Sequence, residues 1–482
     1  MLGSRLQAQP KGQTRPKNQS FNSRAKVRYF MAWRWHFYAG LFVIPFMLML
    51  SLTGLTMLFD DEIEQFRYGE ILNVIPQGEV SPISQQLNAI HNQYPKANVT
   101  QLVYSGQTNI ANRFNIRSPE SGNKVVTVDP YSAQVLGEID RSDSWYQLAN
   151  DIHGTLLMGK TGDYLIEIAA SLSILLLVSG IYLWLPTDNS SKAGFLKLRM
   201  ASGRRILLRD LHANLGGVLS VVLCLFLISG LAWAGVWGAK MVQAWNTFPT
   251  YYTWGDKPQS NLIHADLNHG SEEEMPWNLE LADVPHSHHN SEHPLGTQDN
   301  TNSAIDADNI LSQAKQLGFE RFSLYFPQSD TGVYTVSANS MAGEVTDPRK
   351  DRTTHFDQYS GQVLMDVTWD DYNLMAKLMA AGVSLHQGDL SVVNKVLNAL
   401  FCFAFIVISI TGALMWWMRR PTKQRRLGVP AHFEHDGIWK LGAISIILIA
   451  VCFPMAGVAI TVALVIDTLL VQRSKALKAY LS

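Results

Sequence analysis

The stretch that decides the fold is HFYAGLFVIPFMLMLSLTG at residues 36–54, and a second version of it, HANLGGVLSVVLCLFLISG, covers residues 212–230. Both begin with a histidine, and glycines follow that histidine by 4 and by 18 residues. Neither contains Asp, Glu, Lys or Arg. An α-helix turns once per about 3.6 residues, so these positions share one face. The pattern predicts two membrane helices, each with an imidazole near one end.

Long apolar runs predict an integral membrane protein with six spans in the lipid bilayer. The 482 residues are 47% hydrophobic, and a formal net charge of −1 argues against nucleic acid as a partner. The runs cover residues 37–59, 164–185, 213–237, 396–418 and 438–471. The last is too long for one ordinary span and is interrupted at Pro454, so it predicts a hairpin of two short helices.

The distribution of charge predicts the orientation. Residues 1–35 hold eight Lys or Arg and no acid, and residues 186–211 hold six bases against two acids. The connection after residue 418 and the C-terminal tail are also basic, whereas residues 240–385 are acidic. By the positive-inside rule, both termini and both basic loops lie in the cytoplasm. The expected location is a bacterial inner membrane, with the acidic segments in the periplasm.

The soluble segments contain a second repeat. VDPYSAQVL at residues 128–136 matches FDQYSGQVL at residues 356–364, and each is typical of strand, tight turn, strand. A helix-like stretch precedes each one, at residues 83–94 and 305–317. We therefore expect two small α+β modules outside the membrane. The fold class is a mainly α-helical integral membrane protein, in which two repeats of span, module and span precede the hairpin.

The predicted segments follow in this order. They are a basic N-terminal extension (1–35), a first span (36–59), a first module (60–152), a second span with its preceding segment (153–185), a basic loop (186–211), a third span (212–237), a second module (238–385) with a histidine-rich insertion (256–300), a fourth span with its preceding segment (386–418), a second basic loop (419–436), the hairpin (437–472) and a tail (473–482).

Four histidines recur in the two halves and fall into two layers. His36 and His212 begin outward-going helices, so they lie near the cytoplasmic surface, and His153 and His386 precede inward-going helices near the external surface. Intramembrane ionisable residues are functional candidates because polarity is costly there. The hypothesis is two non-covalent b-type haems, each ligated by two histidines. Gly40 and Gly216, one turn after the inner histidines, would permit close approach of a porphyrin.

Other interpretations of the same residues stay open. The histidines could be interfacial residues, with Gly40 and Gly216 serving helix packing. A non-enzymatic protein, whose modules bind or restrain a periplasmic peptidase, would then fit the sequence. A siderophore or metal permease is a third possibility, because transporters are often built from repeats.

Taken together, these motifs resemble the PepSY-associated transmembrane proteins, also labelled iron-regulated membrane proteins. The resemblance rests on the four histidines with their neighbouring glycines, the Trp-rich span ends at Trp184 and Trp416, and both Asp-x-Tyr-Ser-x-Gln-Val-Leu turns. It implies periplasmic PepSY modules and a haem-containing ferric-siderophore reductase similar to the ferrioxamine reductase. Reduction would release the iron as iron(II), which siderophore oxygen donors bind poorly.

Two further features bear on partners. The insertion carries histidines that are weak candidates for a metal site, but their spacing matches no defined site and favours a solvated loop. They are His286, His288, His289 and His293. The chain has no nicotinamide-, flavin- or ATP-binding motif and no covalent haem attachment sequence. Electrons would therefore come from a separate donor, either membrane quinol or a cytoplasmic reductase.

Overall fold

The computed structural model describes residues 18–119, 122–186, 193–240, 260–269, 274–287, 305–421, 426–431 and 439–481. The chain forms two compact units. Unit 1 comprises Met1–Phe46, Ile168–Cys224 and Val407–Ser482, and unit 2 comprises Met47–Glu167 and Leu225–Ile406.

The helices of the described residues are named here in chain order. They are α1 (Asn18–Leu58), α2 (Asp60–Leu72), α3 (Ile83–Gln93), α4 (Trp145–Thr155), α5 (Lys160–Trp184), α6 (Arg204–Val218), α7 (Ser220–Leu231), α8 (Ala307–Gln316), α9 (Leu374–Gln387), α10 (Val392–Arg419), α11 (Lys440–Cys452), α12 (Pro454–Ile466) and α13 (Lys475–Leu481). A π-helical turn, Asp467–Val471, continues α12.

Four of these helices are long and apolar enough to cross a bilayer, at Arg24–Leu58, Lys160–Trp184, Val392–Arg419 and Pro454–Val471. Helices α6 and α7 add a fifth span if the two are counted as one. Helix α11 has 13 residues and is about 20 Å long, shorter than a hydrocarbon core of roughly 30 Å. Length and composition thus support four or five spans, whereas the sequence predicted six.

The third apolar stretch differs from the continuous span predicted for residues 212–237. It is divided between α6 and α7, whose axes are bent by 61°. Gly216 and Gly217 are weak helix formers, and the Ser220 hydroxyl donates a hydrogen bond to the Gly217 carbonyl at 2.8 Å. The side chain of Trp184 occupies the space where Gly217 would carry a Cβ. A glycine-rich turn therefore provides the bend.

The soluble strands of the described residues form one antiparallel sheet. They are β1 (Asn98–Tyr104), β2 (Asn112–Ser118), β3 (Gly122–Val128), β4 (Val135–Asp140), β5 (Phe322–Tyr325), β6 (Val333–Ala338), β7 (Arg352–Asp357) and β8 (Val363–Thr368). Their order is β4-β3-β2-β1-β5-β6-β7-β8. We expected two small α+β modules, but β1 pairs with β5, for example Leu102 with Leu324, and joins the two sets of four strands.

The repeated turns are confirmed as β-hairpins. In the first, the Asp129 side chain accepts a hydrogen bond from the Tyr131 backbone N–H at 2.8 Å, and in the second Asp357 does the same for Tyr359 at 2.9 Å. The two turns also share a left-handed residue, Ala133 with φ 55° and Gly361 with φ 69°. Because a short acidic side chain closes each turn, the motif specifies its own geometry.

The helices α3 and α8 lie against the sheet, and both confirm predicted helical stretches. Ile83, Ile90 and Ile310 from these helices are buried in one apolar cluster with strand residues of both halves. The Asp308 carboxylate of α8 accepts hydrogen bonds from the backbone N–H of Ile83 at 2.6 Å and of Ser84 at 3.1 Å. It thereby provides acceptors for backbone N–H groups of the first turn of α3, which have no partner within the helix. The eight strands and these helices share one core within unit 2.

Candidate cofactor-binding site

In unit 1, the two histidines of the predicted inner layer lie side by side. The ring centres of His36 and His212 are 6.2 Å apart, and the ring planes are at 89°. His36 lies on α1 and His212 on α6. Through Nδ1, each ring contacts a further helix, which is a different one for each histidine. Nδ1 of His36 is 3.1 Å from the Ser179 hydroxyl on α5. Nδ1 of His212 is 2.9 Å from the Ile408 carbonyl on α10.

In unit 2, the two histidines of the predicted outer layer are held in the same way. Nδ1 of His153 on α4 is 2.8 Å from the Thr53 hydroxyl on α1. Nδ1 of His386 on α9 is 2.7 Å from the Ser229 hydroxyl on α7. The two imidazoles are within electrostatic range of each other. The Phe226 ring packs against His386 with ring centres 4.9 Å apart.

The hydrogen bonds determine which ring nitrogen carries the proton. A hydroxyl has one proton to donate, and each of the three hydroxyls already lies at donor distance from a carbonyl four residues earlier in its helix. These bonds are Thr53 to Met49 at 2.9 Å, Ser179 to Leu175 at 2.6 Å and Ser229 to Leu225 at 2.7 Å. The hydroxyls therefore accept from the imidazoles. The Ile408 carbonyl can only accept from His212. Nδ1 is protonated in all four histidines, and Nε2 keeps its lone pair.

A glycine follows each of these hydroxyl residues and lies against the same imidazole. A Cβ at Gly180 would be 3.1 Å from Cε1 of His36, and a Cβ at Gly412 would be 3.2 Å from Cε1 of His212. The equivalent distances are 3.8 Å from Gly54 to His153 and 3.6 Å from Gly230 to His386. For His212, the Thr411 hydroxyl before Gly412 is a second neighbour of Nδ1, at 3.3 Å. Each of the four histidines is thus in contact with a Ser-Gly or Thr-Gly pair.

The role of these hydroxyls was missed at the sequence level. The sequence places Thr53-Gly54 and Ser229-Gly230 on the helices of His36 and His212, and the prediction used only their glycines. In the structure they hold His153 and His386, which belong to the other layer. A hydroxyl residue directly before the glycine in all four copies was the available signal.

The two glycines predicted to admit a porphyrin differ in their surroundings. A Cβ at Gly40 would be 3.7 Å from the Leu176 side chain, an ordinary packing contact between helices. A Cβ at Gly216 would meet no atom of the described residues within 4 Å. Gly40 therefore suits helix packing, and Gly216 borders open space.

The donor set fits haem. Neutral imidazole with a free Nε2 is an axial haem ligand, and a hydrogen-bonded Nδ1–H is the usual means of orienting it. Two metal–nitrogen bonds of about 2.0 Å would separate two Nε2 atoms by about 4 Å, which brings the ring centres to about 6 Å. The ring separation of His36 and His212 is 6.2 Å. Within the described residues, no group of three or more His, Cys, Asp or Glu side chains could hold a bare metal ion.

Buried polar residues fix the backbone around His386. The Asn398 amide of α10 donates to the carbonyls of Leu385 at 2.8 Å and His386 at 3.0 Å, at the end of α9 where the helix leaves carbonyls unpaired. Asn398 itself is buried.

The buried carboxylate of Glu167, near the start of α5, has a comparable role in another segment. It accepts hydrogen bonds from the backbone N–H of Val236 at 2.9 Å and of Trp237 at 3.1 Å. Glu167 thus anchors the segment that follows α7.

The weak metal candidates of the insertion are only partly covered by the structure. His286 is partly buried, whereas His288, His289 and His293 lie outside the described residues. Another histidine of this tract, His264, is fully buried and places its Nε2 at 3.0 Å from Nε2 of His355 on β7. Burial lowers the pKa of His264 to about 4, and burial beside His264 lowers the pKa of His355 well below its usual value.

The family comparison covers most of the chain. A protein-family model described as the PepSY-associated TM region matches residues 33–419, which include all four repeated histidines. No curated protein matches the chain. The match confirms the resemblance inferred from the sequence motifs.

Proposed function

This chain belongs to the PepSY-associated transmembrane family, and we propose that it is a di-haem b electron-transfer protein of the bacterial inner membrane. It passes electrons to the periplasm, where it reduces ferric-siderophore iron to iron(II). The observation that carries the proposal is the pair His36 and His212. Their rings are 6.2 Å apart, each Nδ1 is engaged by another helix, and each Nε2 is available as a ligand.

The chain's own residues would hold two haems. His36 and His212 would ligate the inner one, and His153 and His386 would ligate the outer one. A haem held by two histidines would supply one-electron transfer, with no position left for oxygen chemistry. The protein's contribution is the orientation of the imidazoles, since hydroxyl or carbonyl acceptors fix each ring and its tautomer before any ligand binds.

The proposed topology has six spans with both termini in the cytoplasm. Trp439, before α11, stacks on Trp35 of α1 with ring centres 5.5 Å apart. Asp467, after α12, is within electrostatic range of Tyr38, also on α1. Both ends of the α11–α12 pair therefore approach the same part of α1, which supports a hairpin that returns the chain to the side it came from. A C-terminal alkaline phosphatase fusion should be inactive, and an active fusion would contradict this topology.

The substrate is a ferric siderophore that docks on the periplasmic PepSY modules. Ferric iron is a hard ion that siderophore oxygen donors bind far more tightly than ferrous iron, so reduction releases the metal. The electron donor is membrane quinol or a cytoplasmic reductase. The soluble part that would receive the substrate is the eight-stranded sheet with α3 and α8, within unit 2.

The decisive experiment is an absorption spectrum of the detergent-purified protein, before and after dithionite, with haem quantified per chain. We expect a b-type α-band and two haems per chain in the wild type. His36→Ala and His212→Ala should lose the inner haem, and His153→Ala and His386→Ala the outer one. His91→Ala changes an exposed histidine on α3 and is the matched control.

The alternatives predict different results. A colourless protein from haem-sufficient cells would refute the electron-transfer proposal and favour a binding or regulatory membrane protein. A protein that binds two haems but does not reduce ferric siderophores would support the electron-transfer role and refute the proposed substrate. Uptake of an intact iron complex, without reduction, would favour a permease.

A further inference from the structure

Two arginines of unit 1 lie within electrostatic range of each other although they carry the same charge. Arg205 lies in the first turn of α6, and Arg419 is the last residue of α10. The two side chains repel each other electrostatically. Among the ion pairs of the described residues, none includes either arginine. Proximity of like charges is unfavourable, and an anion bound between them would offset the repulsion.

The Arg419 side chain is held against aromatic rings, but one of its hydrogen-bond donors lacks an acceptor. Its guanidinium carbon lies 4.9 Å from the ring centres of both Trp33 and Phe37, which flank His36 on α1. Its Nε is buried and has no hydrogen-bond partner in the described part of the chain. A buried N–H without a partner is costly, so a missing acceptor is the simplest explanation.

Two other arginines near the start of α6 are paired with an acid. Arg199 and Arg209 both form ion pairs with the buried Asp210 carboxylate, at 2.7 Å and 2.8 Å. The chain therefore supplies an acid to Arg199 and Arg209 but supplies none among the described residues to Arg205 and Arg419. The two remain available for an external anion.

The pair is aligned with the inner histidines. Arg205 precedes His212 by seven residues on α6, and Arg419 follows Gly412, the glycine against His212, by seven residues on α10. Seven residues are about two helical turns, so each arginine shares a face with the site and lies about 10 Å along the helix from it. The basic cytoplasmic loops lie at this end of both helices.

We propose that Arg205 and Arg419 bind the two propionate carboxylates of the inner haem. This inference rests on the proposed function, because it requires a haem between His36 and His212. Two guanidinium groups suit two carboxylates, since arginine presents paired N–H donors in a plane. The arginines would fix the rotation of the ring and hold its negative charges near the cytoplasmic surface. Their positive charge would also offset the negative charge of the propionates. The midpoint potential of the inner haem would therefore be higher than with neutral residues at these positions.

The test uses the full-length protein with Arg205→Gln, Arg419→Gln and both changes together. We expect the double variant to release one of its two haems to a haem-accepting apoprotein at least about tenfold faster, because charge-assisted hydrogen bonds are lost. The remaining spectrum should match that of His36→Ala, and the midpoint potential of the inner haem should fall. Arg419→Lys should recover part of the loss.

Arg420→Gln is the matched control. Arg420 is the next residue along the chain, and its guanidinium lies on the Trp417 ring at 3.6 Å. It should leave haem release unchanged. Retention of the outer haem in every variant reports that the protein is folded.

Two results would overturn the inference while leaving the proposed function intact. One is a double variant that keeps both haems with unchanged release rates and midpoint potentials. The other is a double variant that keeps both haems but loses bound phospholipid phosphorus, which would identify an anionic lipid site. A wild-type protein without haem would refute the proposed function itself.

Discussion

The Thr53 hydroxyl accepts a hydrogen bond from Nδ1 of His153 at 2.8 Å, although the two residues are 100 positions apart in the chain. The same relation joins Ser179 to His36 and Ser229 to His386. Within each repeat half, the two spans therefore orient each other's histidines. In the first half, the span that carries His36 also orients His153, and the span that follows His153 also orients His36. Neither histidine is positioned by its own helix alone.

Removal of one such hydroxyl tests its role. Thr53→Val retains the approximate shape but deletes the acceptor for His153, so the imidazole loses its fixed orientation. Partners of this kind are worth about 10- to 100-fold in metal affinity. We expect the proposed outer haem to dissociate at least about tenfold faster in a haem-transfer assay. Thr53→Ser should restore the wild-type rate.

Thr56→Val provides the control for this experiment. Thr56 lies on the same helix, and its only hydrogen bond among the described residues is to the Leu52 carbonyl of its own helix, at 3.2 Å. The change should leave haem release unaltered. Equal effects of the two valine variants would show that Thr53 acts through helix stability rather than through His153.

The glycines allow a comparison between the layers. An alanine methyl at Gly180 or Gly412 would be 3.1 Å or 3.2 Å from an inner imidazole carbon and would displace the ring by a few tenths of an ångström. At Gly54 and Gly230 the distances are 3.8 Å and 3.6 Å, ordinary contacts. We expect Gly180→Ala and Gly412→Ala to change the spectrum or potential of one of the two proposed haems.

The outer glycines serve as the matched controls. Gly54→Ala and Gly230→Ala should leave both haem spectra and both potentials as in the wild type. The steric explanation would be excluded if all four alanine variants behaved alike.

The Glu167 carboxylate is expected to stabilise the fold. It is buried and accepts two backbone N–H groups, so Glu167→Gln would replace one acceptor oxygen by a donor facing a donor. Loss of a partner for a buried polar group costs about 1–3 kcal/mol. We expect a lower thermal unfolding midpoint in detergent.

Asp163→Asn is the comparison for Glu167. Asp163 accepts from the Gly235 backbone N–H at 3.1 Å in a more exposed position, one helical turn earlier on α5. Water can replace part of this bond, so the midpoint should fall less than in Glu167→Gln. An equal or larger fall would contradict the importance of burial.

The buried pair His264 and His355 predicts a pH dependence of stability. The folded-state pKa of His264 is lowered to about 4, and that of His355 is lowered well below 6.5. The unfolded chain therefore binds more protons below pH 6.5. The contribution of the pair to stability is complete above this pH and is lost as the pH falls towards 4, by up to about 1.4 kcal/mol per pH unit for each histidine.

Buried carboxyl groups act in the opposite direction. Burial raises the pKa of Glu344 to about 7 and that of Asp351 to about 7, so their contribution is lost as the pH rises through 7. The difference between wild type and a His264→Gln/His355→Gln variant isolates the histidines. Thermal midpoints between pH 4.5 and 7 should show a flatter acid limb in the variant, and parallel curves would refute the assignment.

Local patterns in the sequence predicted the parts of the fold that depend on nearby residues. The Asp-x-Tyr-Ser turns form the expected hairpins because Asp129 and Asp357 bond to backbone groups two residues away. The helices α3 and α8 follow from their apolar periodicity. The bend between α6 and α7 was not foreseen, because it depends on the contact of Gly217 with Trp184 as well as on local glycines.

The sequence by itself determined a repeated membrane protein of the PepSY-associated family, with four histidines at the ends of repeated helices. Helix periodicity and duplication are visible along one chain, because they depend on residues a few positions apart. Only the tertiary structure decided that Ser and Thr hydroxyls orient the histidines, that β1 joins β5 and that Arg205 lies within electrostatic range of Arg419. Each of these depends on contacts between distant segments, and packing selects such contacts among many that the same pattern of residues would permit.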